Sequence, residues 1–189
     1  MKNIVIIGPA RSGKSTLASM IVKEIPIYSV INGDVLREGI YEGFFKEIDK
    51  KESELIVEKA FPQIINRMVE QYSNHYNPNL YYIIEGDILS IEEALKIKQK
   101  YDVEIVCIGM PIIQPRDLFA RIRHYSSKYG CWTDKLTDEG LLEKRQQFIK
   151  RSKKDLKLAE ENNITYLDTS LNMDCIKKYV VNLKNNMNE

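Results

Sequence analysis

The octapeptide Gly8-Pro9-Ala10-Arg11-Ser12-Gly13-Lys14-Ser15 directly follows the apolar run Ile4-Val5-Ile6-Ile7 and decides the fold. Its pattern, G-x-x-x-x-G-K-[ST], is the one that a bound triphosphate requires of a backbone. Two glycines let successive N–H groups turn toward the phosphate oxygens, and the lysine adds a compact cation. A helix predicted to begin here brings its positive N-terminal end to the same anion. The stretch therefore predicts a nucleotide-binding loop.

Within this loop we expect individual side chains to bind different parts of the nucleotide and its metal ion. Lys14 is expected to contact the β- and γ-phosphates of ATP, and the hydroxyl of Ser15 to ligate Mg²⁺. The residues expected to bind the nucleotide are Gly8, Arg11, Ser12, Gly13, Lys14, Ser15 and Thr16.

Composition narrows the class of protein. The 189 residues fit one domain, and a net charge of +1 gives no overall field that would recruit nucleic acid or an anionic membrane. Three cysteines without metal-ligand spacing suit reduced thiols. No apolar stretch is long enough to cross a bilayer, and the first strand leaves no room for a signal peptide. We expect a cytoplasmic protein with neither a membrane nor a nucleic acid as partner.

Short apolar runs alternate with helical patterns along the chain. The five runs are near-continuous, as in strands buried on both faces, and occupy residues 3–7, 27–31, 80–85, 104–108 and 165–168. Apolar residues at helical spacing occupy residues 14–23, 52–72, 91–100, 138–161 and 173–183. Ser90 is expected to cap the third of these helices, and Pro62 to kink or divide the second. The alternation predicts an α/β fold with a five-stranded parallel sheet and helices on both faces.

Ligands of such sheets collect beyond the carboxyl ends of the strands, where this chain places acidic residues. Asp34, after the second strand, is expected either to cap a helix or to serve a site together with Arg37. After the third strand, either Glu85 or Asp87 could hold the water shell of Mg²⁺, and Asp87 could equally face the acceptor.

Basic residues cluster after the fourth strand. Arg116, Arg121 and Arg123 lie close together, and Arg145, Lys150 and Arg151 follow on the next helix. Because phosphoryl transfer spreads negative charge over the equatorial oxygens, cations on a movable flap are expected to reach the phosphates. A solvated helix face with salt bridges is the alternative for any one of them.

Several segments resemble the adenylate kinase and nucleoside monophosphate kinase family. They are the loop, the segment Gly33-Asp34-x-Leu36-Arg37, the run Asp138…Leu142-x-x-Arg145 and the stretch from Asn163 to Ser170. The resemblance implies a P-loop NTPase fold in a single domain. It also implies an acceptor-binding helical insertion at about 34–78, a small helical lid at about 112–140, and the cofactors ATP and Mg²⁺.

The resemblance also implies roles for individual residues. Lys14 would stabilise the transferred phosphoryl group, Ser15 would bind Mg²⁺, and Asp34 with Arg37 would line the acceptor pocket. The candidate lid cations are Arg121, Arg123 and Arg145.

One segment departs from the members that phosphorylate AMP. Those members share Asp-Gly-Phe-Pro-Arg after the third strand, whereas this chain has Glu85-Gly86-Asp87-Ile88-Leu89. An anionic acceptor would meet Asp87 there, a penalty on the order of a few kcal/mol in a half-buried site. The Glu-Gly pair looks more like that of P-loop kinases acting on hydroxyl groups, such as shikimate kinase, gluconate kinase and chloramphenicol phosphotransferase.

An alcohol acceptor, unlike a phosphate, must lose a proton as it attacks, and Asp34 is our candidate for the base. We therefore expect an ATP-dependent kinase that phosphorylates a hydroxyl of a small molecule. Asp34, Arg37, Glu85 and Asp87 are expected at the substrate, and Ser15 with Glu85, through water, at the metal. The alternatives are a divergent nucleoside or nucleoside monophosphate kinase, and a nucleotide-regulated binding ATPase without a small acceptor.

Overall fold

The computed structural model describes residues 1–45, 47–74, 80–129, 133 and 136–186. Within these ranges the strands are β1 (Asn3–Ile7), β2 (Tyr28–Asn32), β3 (Tyr81–Glu85), β4 (Val103–Gly109) and β5 (Thr165–Asp168). The helices are α1 (Lys14–Glu24), α2 (Gly33–Phe44), α3 (Lys50–Asn74), α4 (Ile91–Lys100), α5 (Pro115–Tyr129), α6 (Asp138–Glu161) and α7 (Asp174–Asn185).

The strands form one parallel sheet in the order β2-β3-β1-β4-β5. Side chains of the central strand β1 alternate between its two faces. Val5 and Ile7 enter a core cluster with residues of α3 and α4, whereas Ile4 and Ile6 enter a second cluster with residues of α1 and α7. The predicted α/β fold, with helices on both faces of a five-stranded parallel sheet, is confirmed.

Helix α3 runs through Pro62, so of the two effects expected of this proline, a kink or a division, the division does not occur. Proline removes one backbone hydrogen bond, but packing of the helix on the sheet opposes a break. Val57, Phe61, Ile65 and Val69 recur every four residues, and each is buried. A single buried stripe therefore extends on both sides of the proline.

At α4 the expected cap is confirmed, because Ser90 and Glu93 form a reciprocal capping box.

A third apolar cluster lies between α5, the start of α6 and the segment after β4. It contains Met110, Ile113, Leu118, Ile122, Leu141 and Phe148. These residues belong partly to the lid expected at about 112–140, of which residues 130–132 and 134–135 lie outside the described residues. The insertion expected at about 34–78 contains α2 and α3, and its residues 46 and 75–78 also lie outside that description. In the described part of the chain, no helix combines the length and apolar character needed to span a membrane.

Candidate active site

The loop between β1 and α1 depends on glycine at two positions. Gly8 has φ +144°, and a side chain there would overlap the carbonyl oxygen of Ile108 on β4. Gly13 has φ +109° and serves as the N-cap of α1 without a side-chain hydrogen bond to the helix. Both backbone conformations are ones that larger residues rarely adopt. Because Gly13 has no side chain, it does not cap the first turn of α1. The free backbone N–H groups at this helix end are of the kind that bind anions.

Lys14 is buried beneath this loop. Its Nζ donates a hydrogen bond to the carbonyl oxygen of Pro9 over 2.9 Å, and the Ser12 hydroxyl donates to the same oxygen over 2.9 Å. Burial lowers the pKa of Lys14, while the carboxylates of Asp87, Asp34 and Glu85 oppose that shift. The ammonium group therefore lies within electrostatic reach of all the acidic residues predicted at the strand ends.

Glu85, the last residue of β3, lies beside both β1 and β2. Its Oε1 accepts hydrogen bonds from the Ser15 hydroxyl (3.1 Å) and from Nδ2 of Asn32 (2.6 Å). Its Oε2 is buried and has no hydrogen-bond partner among the residues that the structure describes. Burial raises the pKa of this carboxyl, and Lys14 and Ser15 oppose that shift.

This arrangement suits Mg²⁺, which takes oxygen ligands and keeps several waters. A carboxylate with one unpartnered oxygen stands against the Ser15 hydroxyl, which could itself be a ligand. No group of three or more His, Cys, Asp or Glu among the described residues could enclose a metal ion.

Asp34 is not the cap of α2. Asn32 has that role, because its Oδ1 accepts a hydrogen bond from the backbone of Val35 over 2.9 Å. The Asp34 carboxylate instead accepts from the backbone N–H of Asp87, which lies 3.0 and 3.1 Å from its two oxygens. Nη2 of Arg37 donates to Oδ1 of Asp34 over 3.2 Å. Of the two roles considered for Asp34, the structure therefore excludes the capping one.

Asp87 and Arg37 complete a compact network with Asp34. Nη1 of Arg37 donates to the Asp87 carbonyl over 3.0 Å, and the Asp87 carboxylate pairs with Arg151 of α6. Asp87 therefore faces α6, whereas Glu85 faces Ser15.

From the sequence, Arg151 was assigned only to a cluster of basic residues. Its contact with Asp87 was not predicted. The signal available was its spacing of four residues from Asp155, with which it forms an ion pair (3.2 Å) inside α6. Its contact with Asp87 joins residues 64 positions apart, so no local pattern could reveal it.

A cavity of about 710 Å³ opens over the loop. The loop and α1 line it together with Asp34, Arg121 and Met173. Arg121 is held there by hydrogen bonds from its guanidinium to the carbonyls of Thr169 (2.9 Å) and Ser170 (3.2 Å). This candidate lid cation is the one that the structure brings to the loop.

A second cavity of about 780 Å³ lies between α2, α3 and α6. Asp34, Arg37, Asp87 and Arg151 are among the side chains that line it. Both cavities have Asp34 and Ala10 in their walls. Their volumes fall within the range of roughly 300–1,000 Å³ typical of small-molecule sites.

The other two candidate lid cations have different surroundings. Arg123 pairs with Asp138 over 2.6 Å and so joins α5 to the beginning of α6. Arg145 is 8% exposed, donates to the Pro115 carbonyl over 2.8 Å and stacks its guanidinium over the Phe119 ring. Neither Arg123 nor Arg145 is among the described residues that line the two cavities. In this arrangement both arginines join α5 and α6 to each other.

Comparison with known proteins supports the fold. No family model matches the chain. An adenylate kinase from Desulforamulus reducens is 30% identical over 94 residues, a segment that covers 49% of this chain and 43% of that protein. A solved shikimate kinase from Acinetobacter baumannii, in complex with shikimate, has a TM-score of 0.63 at 16% identity over 98% of this chain and 94% of that one. A gluconokinase from Sinorhizobium meliloti has a TM-score of 0.53 at 15% identity over 98% and 95% of the two chains. The chain has the P-loop NTPase fold that is shared with these kinases.

Proposed function

We propose that this protein is a Mg²⁺-dependent kinase that transfers the γ-phosphoryl group of ATP to a hydroxyl group of a small molecule. One observation carries the proposal: Asp34 lies in the wall of both the cavity over the phosphate loop and the cavity between α2, α3 and α6. Direct transfer needs a donor site and an acceptor site that meet at a group able to handle a proton.

The donor side is the cavity over the loop. Backbone N–H groups of residues 10–13 and the ammonium group of Lys14 bind the phosphates, and Arg121, which also lines this cavity, adds positive charge. Ser15 and Glu85 hold Mg²⁺, the latter through water. When bound, the metal ion neutralises part of the charge on the phosphates.

The acceptor side is the second cavity, and Asp34 is its base. Oδ1 of Asp34 accepts hydrogen bonds from Arg37 and Asp87, whereas among the described residues Oδ2 shares only the Asp87 N–H. Oδ2 therefore has capacity for the proton of an acceptor hydroxyl. As the hydroxyl oxygen forms its bond to the γ-phosphorus, the bond from that phosphorus to the ADP oxygen breaks, and the hydroxyl proton passes to Asp34.

A nucleoside monophosphate kinase is the second candidate, favoured by the 30% identity with an adenylate kinase over 94 residues. The contacts around Asp87 speak against a phosphate as the acceptor group. The nitrogens of Arg151 donate to Asp155, to Asp87 and to the carbonyl of Leu89, so a phosphate would have to displace bonds that the protein already makes. A hydroxyl requires no such exchange.

Phosphorus NMR of MgATP with a panel of acceptors tests the proposal. The panel contains shikimate, gluconate, neutral sugars and polyols, and AMP, and the Lys14→Met variant serves as the control. We expect a new phosphate monoester signal with a hydroxyl acceptor, which the variant fails to produce. ADP formed from AMP would favour the second candidate, and inorganic phosphate alone would favour a nucleotide-regulated ATPase.

A further inference from the structure

All three guanidinium nitrogens of Arg151 donate hydrogen bonds, one within α6 and two to the segment that follows β3. Nε donates to Oδ2 of Asp155 over 3.2 Å, Nη1 donates to Oδ1 of Asp87, and Nη2 donates to the carbonyl of Leu89 over 3.0 Å. The segment 87–89 is thus bound to α6 at a side chain and at a backbone group. With Asp155 supplying the opposing charge, the guanidinium is fixed in one orientation.

The connection continues from Asp87 to Asp34. The N–H of Asp87 lies within hydrogen-bond distance of both carboxylate oxygens of Asp34, and the carbonyl of Asp87 accepts from Arg37. Arg37 in turn donates to Asp34. A shift of the Asp87 backbone would consequently disturb two of the groups that orient the Asp34 carboxylate.

Stability alone is a poor explanation for this arrangement. Asp155 is only 4% exposed, and burial raises the pKa of its carboxyl against the opposing effect of Arg151. Removing charged groups from water is costly, and well-packed apolar side chains often stabilise a fold as much as a buried ion pair does. What an apolar pair could not do is hold the polar Asp87 segment in a single orientation.

We propose that Arg151 is a positioning residue that fixes Asp87 and, through Asp87 and Arg37, orients the Asp34 carboxylate toward the acceptor hydroxyl. This inference rests on the proposed function, because the orientation of Asp34 matters for turnover only if Asp34 serves the transfer. Arg151 itself need not touch the phosphoryl group. Its effect on the reaction should therefore depend on the presence of a carboxylate at position 34.

A double-mutant cycle between Arg151→Met and Asp34→Asn tests this dependence on the acceptor identified by phosphorus NMR. We expect Arg151→Met to lower kcat about 100-fold, the cost of a reacting group misplaced by about an ångström, with the KM for ATP changed less than about threefold. On the Asp34→Asn background the same substitution should change kcat less than about threefold. Arg151→Lys, which can pair with one carboxylate but not bridge two, should recover part of kcat.

A merely structural role for Arg151 would lower kcat by the same factor on both backgrounds, which would overturn the inference. The exposed Lys153, two residues along α6, provides the matched control, since Lys153→Met should leave kcat unchanged. Should Arg151→Met fail to fold, the cycle with Arg151→Lys applies the same criterion.

Hydrogen exchange at the Asp87 amide separates this inference from the proposed function, since it requires no turnover. We expect exchange of that amide to be at least about tenfold faster in Arg151→Met than in wild type or Lys153→Met. Unchanged exchange would overturn the positioning role even if the wild type phosphorylates an acceptor. Faster exchange in a protein that phosphorylates no acceptor would overturn the proposed function, and the catalytic purpose of the positioning with it.

Discussion

At the scale of single residues, Glu85 combines a structural cost with a proposed role in binding. It is 2% exposed, and one of its carboxylate oxygens has no hydrogen-bond partner in the described part of the chain. Because burial raises its pKa above the value in the unfolded chain, the folded protein holds this proton more tightly. The bound proton therefore stabilises the folded state fully at low pH. This stabilisation is lost as the pH rises through the raised pKa of Glu85. The ionised form of Glu85 therefore destabilises the fold relative to the protonated form.

Glu85→Gln should raise Tm at pH 8 by about 2–4 °C, the shift that about 1 kcal/mol gives in a domain of this size. The gain should disappear as the pH falls below the pKa of Glu85, because the wild-type residue is then neutral as well. Melting curves of both proteins without Mg²⁺ over pH 4–8 measure this difference. A gain that is independent of pH, or a loss of Tm at pH 8, would show that ionised Glu85 carries no such cost.

Arg121 and Arg123 provide a matched comparison on one helix. Arg121→Ala should lower kcat about 100-fold, the usual cost of losing one preorganised group that stabilises transition-state charge. Arg123→Ala should change kcat less than about threefold, because Arg123 is engaged with Asp138 rather than with the cavity over the loop. Steady-state kinetics of the two variants measures both values. Equal losses would mean that Arg123 also reaches the phosphates.

At the scale of elements, Gly109 controls how closely β4, β5 and α6 approach one another. A side chain at Gly109 would overlap the hydroxyl of Tyr166, which itself donates to the Ser152 carbonyl of α6 over 3.0 Å. Gly109→Ala should therefore cost about 1–3 kcal/mol in the free energy of unfolding. Adding Tyr166→Phe should recover part of that cost, since it removes the overlapping oxygen. Denaturant unfolding of both single variants and the double variant measures the coupling, and strictly additive losses would contradict the packing described here.

The elements show which features a sequence can predict. The Ser90 capping box and the strand-loop-helix at Gly8–Ser15 depend on neighbours within a few residues, so their patterns were sufficient. Whether α3 continues through Pro62 could not be decided from the sequence, because its continuity depends on a buried stripe packed against the sheet. Local propensity allowed a kink or a division at this proline, and tertiary packing excludes the division.

At the scale of the whole molecule, parallel strands bring separate segments to one edge of the sheet. Asn32 pairs with Glu85 in the register of β2 and β3, so the acidic residues expected beyond these two strands lie at the same edge of the sheet. The topology does not determine which side chains contact the carboxylates of Glu85 and Asp87. Glu85 faces Ser15 and Asp87 faces Arg151, a division set by where α6 packs. The sequence therefore predicted which residues lie in the candidate site, but not which of them contact one another.

In the proposed reaction, Asp34 takes the proton of a hydroxyl where the donor and acceptor cavities meet. Transfer of radiolabelled γ-phosphate from ATP to the acceptor, compared between wild type and Asp34→Asn at saturating ATP, tests it most directly. Asparagine keeps the size of the side chain but cannot accept the proton, so the rate of transfer should fall about 10²–10⁴-fold. Transfer that continues at the wild-type rate in Asp34→Asn would contradict the claim.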